Sequence, residues 1–169
     1  MRKRIITLGV QESARPEPDW LDLEHIAQVE VTSEEAAHPI ESALIPDAGF
    51  GWRAAEAGEQ TMRLLFDVPQ KITRIRLQFD EQLGGARTQE FVLNWSPGGT
   101  NHYREIVRQQ YNFSPPAVIS EVEDYVVDLE GVAALELKRL YKSRPMLVFV
   151  QPNRSTLANR KSTALTRSP

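Results

Sequence analysis

The stretch Met62-Arg-Leu-Leu-Phe-Asp-Val-Pro-Gln-Lys-Ile-Thr-Arg-Ile-Arg-Leu-Gln-Phe79 decides the fold class. In its first seven residues Met62, Leu64, Phe66 and Val68 fall on one side of an extended chain, while Arg63 and Asp67 fall on the other. Successive side chains of a strand point to opposite faces, so this spacing predicts a half-buried strand over 62–68. Pro69 has no backbone N–H to give to a ladder. Together with Gln70 it predicts a tight break before a second strand over 72–79.

Working outward, the same signature recurs. Short runs rich in β-branched and aromatic residues span 26–31, 90–95, 103–110, 124–129 and 132–137. Phe91, Leu93 and Trp95 share one face of their run, and Tyr125, Val127 and Leu129 share one face of theirs. Turn chemistry separates the runs: Gly84-Gly85, then Ser96-Pro-Gly-Gly99, then Pro115-Pro116. Ser33 to Leu44 is expected to form one or two helical turns, with Ser33 as N-cap, Glu34 and Glu35 in the first turn and Pro39 limiting the length. No sustained helical period appears. Seven or eight short strands in one domain predict an all-β sandwich or jelly roll.

The chain has 169 residues, enough for one domain with its own core, and its 41% apolar and 25% charged content is that of a folding protein. It has no cysteine, which excludes disulfides, thiolate zinc sites and a cysteine nucleophile, and favours a reducing, cytoplasmic location. The apolar run at 5–10 is short and gives way to Gln11, Glu12, Pro16 and Pro18 without a cleavage site, so it is read as an edge strand rather than a signal. No run reaches membrane-spanning length. All 23 acids and 12 of the 20 bases lie in residues 1–137, whereas residues 138–169 carry eight bases and no acid. An acidic body argues against nucleic-acid binding, which depends on clustered Lys and Arg. The expected organisation is an N-terminal strand and linker over 1–24, a domain over 25–150 and a basic, disordered tail over 151–169.

The order of segments resembles a known family. Ala27-Gln-Val-Glu-Val-Thr-Ser, His38-Pro-Ile-Glu-Ser-Ala-Leu44, Gly51-Trp52 and Met62 to Pro69 are similar to the opening half of a coagulation factor V/VIII type C, or discoidin, domain. Residues 72–79, Phe91-Val-Leu-Asn-Trp-Ser96 with Gly98-Gly99, and Tyr103-Arg-Glu-Ile-Val107 continue that order. The match covers roughly 25–137 and looks most similar to a compact bacterial branch of carbohydrate-binding domains, with stretches such as Arg104 to Ser114 and Glu123-Asp-Tyr125. The resemblance implies an eight-stranded jelly roll of the galactose-binding-like superfamily, no catalysis, and capture of a glycan by loops at one end. Sugar-binding relatives often hold a structural calcium. Here the corresponding loop, residues 46–52, offers the single carboxylate Asp47, too few oxygen ligands for a cation that takes six to eight, so no cofactor is expected. Residues 146–150 are the candidate closing strand.

Enzyme constellations are missing: no Gly-x-Ser-x-Gly, no phosphate-binding Gly-rich loop and no His-Glu-x-x-His. His25, His38 and His102 are dispersed and read as surface or turn residues. Glu123 and Asp124 are neighbours on an expected strand, so they point to opposite faces and make no glycosidase dyad. The expected activity is therefore none. A sugar site needs an aromatic face for the C–H side of a pyranose and planar polar groups for its hydroxyls. Phe50, Trp52 and Arg53 in one loop, Arg87 in a second, and Tyr111, Asn112 and Phe113 in a third supply those parts. The sugar-binding set is thus Trp52, Arg53, Arg87, Tyr111, Asn112 and Phe113. Several have a competing structural reading: Trp52 and Phe113 as core, Arg87 as a partner of Glu90. A protein-interaction role on the same scaffold is the alternative function, because fold alone does not set function.

Overall fold

The computed structural model describes residues 19–45, 51–80, 87–98, 102–113, 120–140 and 146–152. The expected strand at 5–10, Phe50, Asp47 with its loop, the Gly84-Gly85 and Pro115-Pro116 turns and the tail from 153 fall outside them. The described elements are α1 (Leu23–Ile26), β1 (Ala27–Val31), α2 (Glu41–Leu44), β2 (Gln60–Asp80), β3 (Arg87–Pro97), β4 (Arg104–Phe113), β5 (Ser120–Leu140) and β6 (Met146–Pro152).

All strand pairings are antiparallel, in the order β1-β2-β5-β3-β4, with β6 on β2. Strands β2 and β5 have 21 residues each. Straight, such a strand would run about 70 Å, far beyond a domain of this size. Both strands instead bend together, and their register shifts between Leu65 and Arg74. Pro69, without an N–H, and Gly131, at φ +67°, occupy the bend. The first half of β2 and the second half of β5 build a five-stranded layer with β1, β3 and β4. Their other halves build a three-stranded layer with β6. The six described strands therefore make eight strand passages. Across the two layers the Phe79 and Phe91 rings lie 5.4 Å apart, the Arg139 guanidinium sits 5.3 Å from the Phe79 centroid, and the Tyr125 hydroxyl donates to Gln109 Oε1 at 2.6 Å.

The core between the layers is formed by the alternating sets Met62, Leu64, Phe66; Ile75, Leu77, Phe79; Phe91, Leu93; Leu135, Leu137; and Met146, Val148, Val150. Arg139 is buried whole among them, and burial pulls its guanidinium down to about 9, which leaves it charged at neutral pH.

Three local expectations are corrected. The runs 62–68 and 72–79 are one bent strand, as are 124–129 and 132–137, because antiparallel pairing persists through both turns. Val68, expected inward, is 60% exposed: the register shift at the bend ends the alternation one residue earlier. The helix expected from Ser33 is confined to α2, and its N-cap position is Ile40. The Ser33 hydroxyl donates to Gln60 Oε1 at 2.7 Å and accepts from the Glu56 N–H at 3.2 Å, so a β2 contact takes the group that would have capped a helix. Residues on both sides of 25–150 also join the sheet. Leu23 is buried, the Leu21 N–H donates to the Val150 carbonyl at 2.7 Å, and β6 runs to Pro152.

Candidate functional site

The strand ends Asp80, Arg87, Phe113, Ser120, Leu140 and Met146 gather at the end of the sandwich opposite the bend. Arg87 and residues 111–113, expected in loops, belong to strands there. Arg87 pairs with Phe113, Thr88 with Asn112 and Gln89 with Tyr111, beyond Glu90↔Leu140 where β3 pairs last with β5. The fold thus brings four of the six expected sugar-binding residues to the open end of one hairpin. Glu90, the alternative partner of Arg87, accepts from Arg108 Nη1 at 3.0 Å.

Trp52 comes to the same end on a separate segment. It forms a two-sided backbone bridge with Met146, at 2.8 and 3.0 Å, and its indole N–H donates to the Ser33 carbonyl at 3.1 Å. Its exposure is 0%, so it offers no stacking face, and its place in the sugar-binding set is corrected to the core. Gly51 makes this possible: at φ +62° a Cβ would stand 2.7 Å from Met146 backbone atoms, so only glycine lets the segment lie against β6. Arg53 is half-buried and held by Glu35 Oε2 at 3.2 Å, while Glu34 Oε2 accepts the Ile40 N–H at 3.0 Å. Asp124 accepts both Nε and Nη2 of Arg76, at 3.0 and 2.8 Å.

A second constellation lies on the outer face of the five-stranded layer. Register aligns Glu30↔Arg63, Arg63↔Glu136, Asn94↔Glu136 and Asn94↔Glu105, a single polar row crossing all five strands. Glu136 is its centre. The carboxylate is 3% exposed, with Oε2 accepting from Arg63 Nε at 2.8 Å and Oε1 accepting from Asn94 Nδ2 at 3.1 Å, and Lys138 Nζ stands 3.7 Å away. Buried carboxylates are tolerated when such donors are supplied. The Glu136 hydrogen bond is the main reason that the Arg63 guanidinium is held above its ordinary value. Tyr103, from the β3–β4 connection, stacks on that guanidinium at 5.8 Å, and burial raises its hydroxyl so that it stays a neutral donor. A groove of about 810 Å³ is lined by these side chains together with Leu65 and exposed His102. The sequence hid this row. Glu136 between Leu135 and Leu137 reads as an ordinary outward residue, and only strand order reveals which outward residues share a row.

At the bend end a cleft of about 840 Å³ lies beside Trp20, Gln70 and the Lys71–Glu130 ion pair. The Trp20 ring is stacked over Arg76 at 5.1 Å, and the first and last described residues, Asp19 and Pro152, line the cleft. The exposed trio Asp22, Glu24 and His25 brings three ligand atoms within 4.8 Å of one another, but the imidazole is engaged by Asp22 at 2.9 Å, and that bond raises it. Among the described residues no helix is long and apolar enough to cross a membrane.

No protein-family profile matches the chain, and no curated protein sequence does. Solved structures do. The C-terminal domain of a chitobiase from Bacteroides fragilis superposes with a TM-score of 0.59 at 14% identity, covering 80% of this chain and 98% of that one. An F5/8 type C domain from the same organism gives 0.52 at 14% identity, covering 79% and 95%. The chain has the discoidin fold. A third discoidin-fold neighbour, the family 32 carbohydrate-binding module of Clostridium perfringens NanJ in complex with galactose, gives 0.53 at 12% identity, covering 77% and 93%. At such identities the likeness establishes architecture; residue roles in this discoidin-fold chain come from its own geometry.

Proposed function

We propose that this chain is a non-catalytic carbohydrate-binding module that holds a glycan at the end of the sandwich opposite the bend. The observation that carries the reading is the β3–β4 register, which puts Arg87, Tyr111, Asn112 and Phe113 together at the open end of the hairpin, past the last β5 pair. A guanidinium supplies a fork of donors, and aromatic rings suit the C–H face of a pyranose. Neighbours of the same fold are described with galactose, with GalNAc-β-1,3-galactose and with an unsaturated mannuronic acid, which favours a glycan over a protein partner. The acids that could be imagined as a catalytic pair, Glu34, Glu35 and Asp124, are held by Ile40, Arg53 and Arg76.

The test is a glycan array followed by calorimetry on the sugar it returns. Arg87→Ala and Tyr111→Ala should each weaken binding by about 1–3 kcal/mol with little change in the unfolding midpoint. Unchanged affinity in both variants removes this site. Binding is proposed to need no calcium, since Asp47 is the single carboxylate of its loop. Excess calcium should leave the unfolding midpoint where chelator leaves it, and a rise of several degrees would overturn that, because a ligand of the native state must stabilise it.

A further inference from the structure

We infer that the groove over Glu136 is a second glycan subsite, one that takes the interior of a neutral oligosaccharide lying across the strands. This rests on the carbohydrate reading above but on different residues. Adjacent strands lie about 4.8 Å apart, so the row from Glu30 to Glu105 spans four steps, or about 19 Å. That is several pyranose widths.

The parts of a sugar site are assembled here. Glu136 takes one amide hydrogen of Asn94 and the Nε hydrogen of Arg63, and so fixes both planar groups in position. Among the described residues no hydrogen bond is made by the Asn94 Oδ1 acceptor, and the Arg63 terminal nitrogens make a single long hydrogen bond, 3.4 Å to Glu30, beside the stacked Tyr103 ring. Leu65 and the Tyr103 ring give apolar surface beside them, and exposed His102 also lines the groove. Hydroxyls laid along the row would therefore meet groups already ordered by the protein, which lowers the entropy lost on binding. The groove's cations are already paired, Arg63 with Glu30 and Glu136 and Lys138 with Glu136, and Glu105 pairs with Arg108. Among the described residues it therefore offers an anionic sugar no unpaired cation and suits neutral chains.

The experiment is calorimetry on the full chain with neutral hexasaccharides of β-1,4-linked glucose, mannose, xylose and galactose, the matching monosaccharides, and hexagalacturonate as the anionic control. At least one neutral hexasaccharide should bind tenfold or more tighter than its monosaccharide, and hexagalacturonate should not bind. Asn94→Ala should weaken that hexasaccharide threefold or more and leave the monosaccharide unchanged. A His102→Ala, Tyr103→Phe double variant, which keeps the ring packing, should show the same split if Asn94→Ala folds poorly. A hexasaccharide no tighter than its monosaccharide, or one unaffected by the groove variants, overturns the subsite. In that event the hairpin site still stands if Arg87→Ala weakens the monosaccharide. Groove variants that weaken the hexasaccharide while Arg87→Ala and Tyr111→Ala change nothing would sink the hairpin site and keep the groove.

Discussion

Leu137 and Glu136 are neighbours on β5 with almost the same exposure, 1% and 2%, yet they face opposite sides of the five-stranded layer. Leu137 is buried by the second layer, where contact with apolar side chains is itself the stabilising term. Glu136 is buried under Tyr103 and its polar neighbours, where removal from water costs energy that the donors of Arg63 and Asn94 offset. Equal burial therefore conceals two unlike energetic roles: one side chain holds the layers together, and the other orders a row of polar groups.

The sharpest way to break the comparison is to truncate each side chain. Leu137→Ala should cost about 2–5 kcal/mol in chemical denaturation, through lost transfer energy and a cavity. Glu136→Ala should cost less, about 1–3 kcal/mol, because Arg63 is 41% exposed and can return its charge to water. If the glutamate proves the costlier of the two, the polar row is the main brace of the layer. Glu136→Gln should cost about 1 kcal/mol, since the amide keeps one acceptor but places a donor where a donor already points.

The smallest effect sharpens the contrast between a buried and an exposed carboxylate. Glu130 is 71% exposed and pairs with Lys71, which holds its carboxyl below the ordinary value. A lowered folded value means that any stabilisation is present above pH 4.5 and is lost as the pH falls through the folded value. In an NMR titration Glu130 should ionise below 4.5 and return toward it in Lys71→Ala, whose unfolding midpoint at neutral pH should be unchanged, as exposed pairs contribute little. A clear drop in midpoint would show that the bend depends on this pair.

The strand character of 62–66, 91–95 and 132–137 was legible because one face of each is apolar and alternation has a single cause, burial on one side. The bend was not. Pro69 and Gly131 mark turns in almost any context, and nothing local tells a chain that stops pairing from one that bends and continues. Of the expected site residues, those at the open end of the β3–β4 hairpin were expected from side-chain chemistry, and register brings them together. Trp52 was misassigned to the sugar site because an aromatic residue after glycine suits a core and a binding loop alike.

By itself the sequence determined which residues prefer extended backbone, which faces are apolar, and that no cysteine chemistry is available. Those properties are local, set by side-chain type and period. Only the tertiary structure decided that Arg63 and Glu136, 73 positions apart, and Asn94 and Glu136, 42 apart, meet in one row, and that Gly51 brings Trp52 against Met146. Strand order and register are choices among many pairings of equal local merit, and they are settled when both faces of every strand must be satisfied at once.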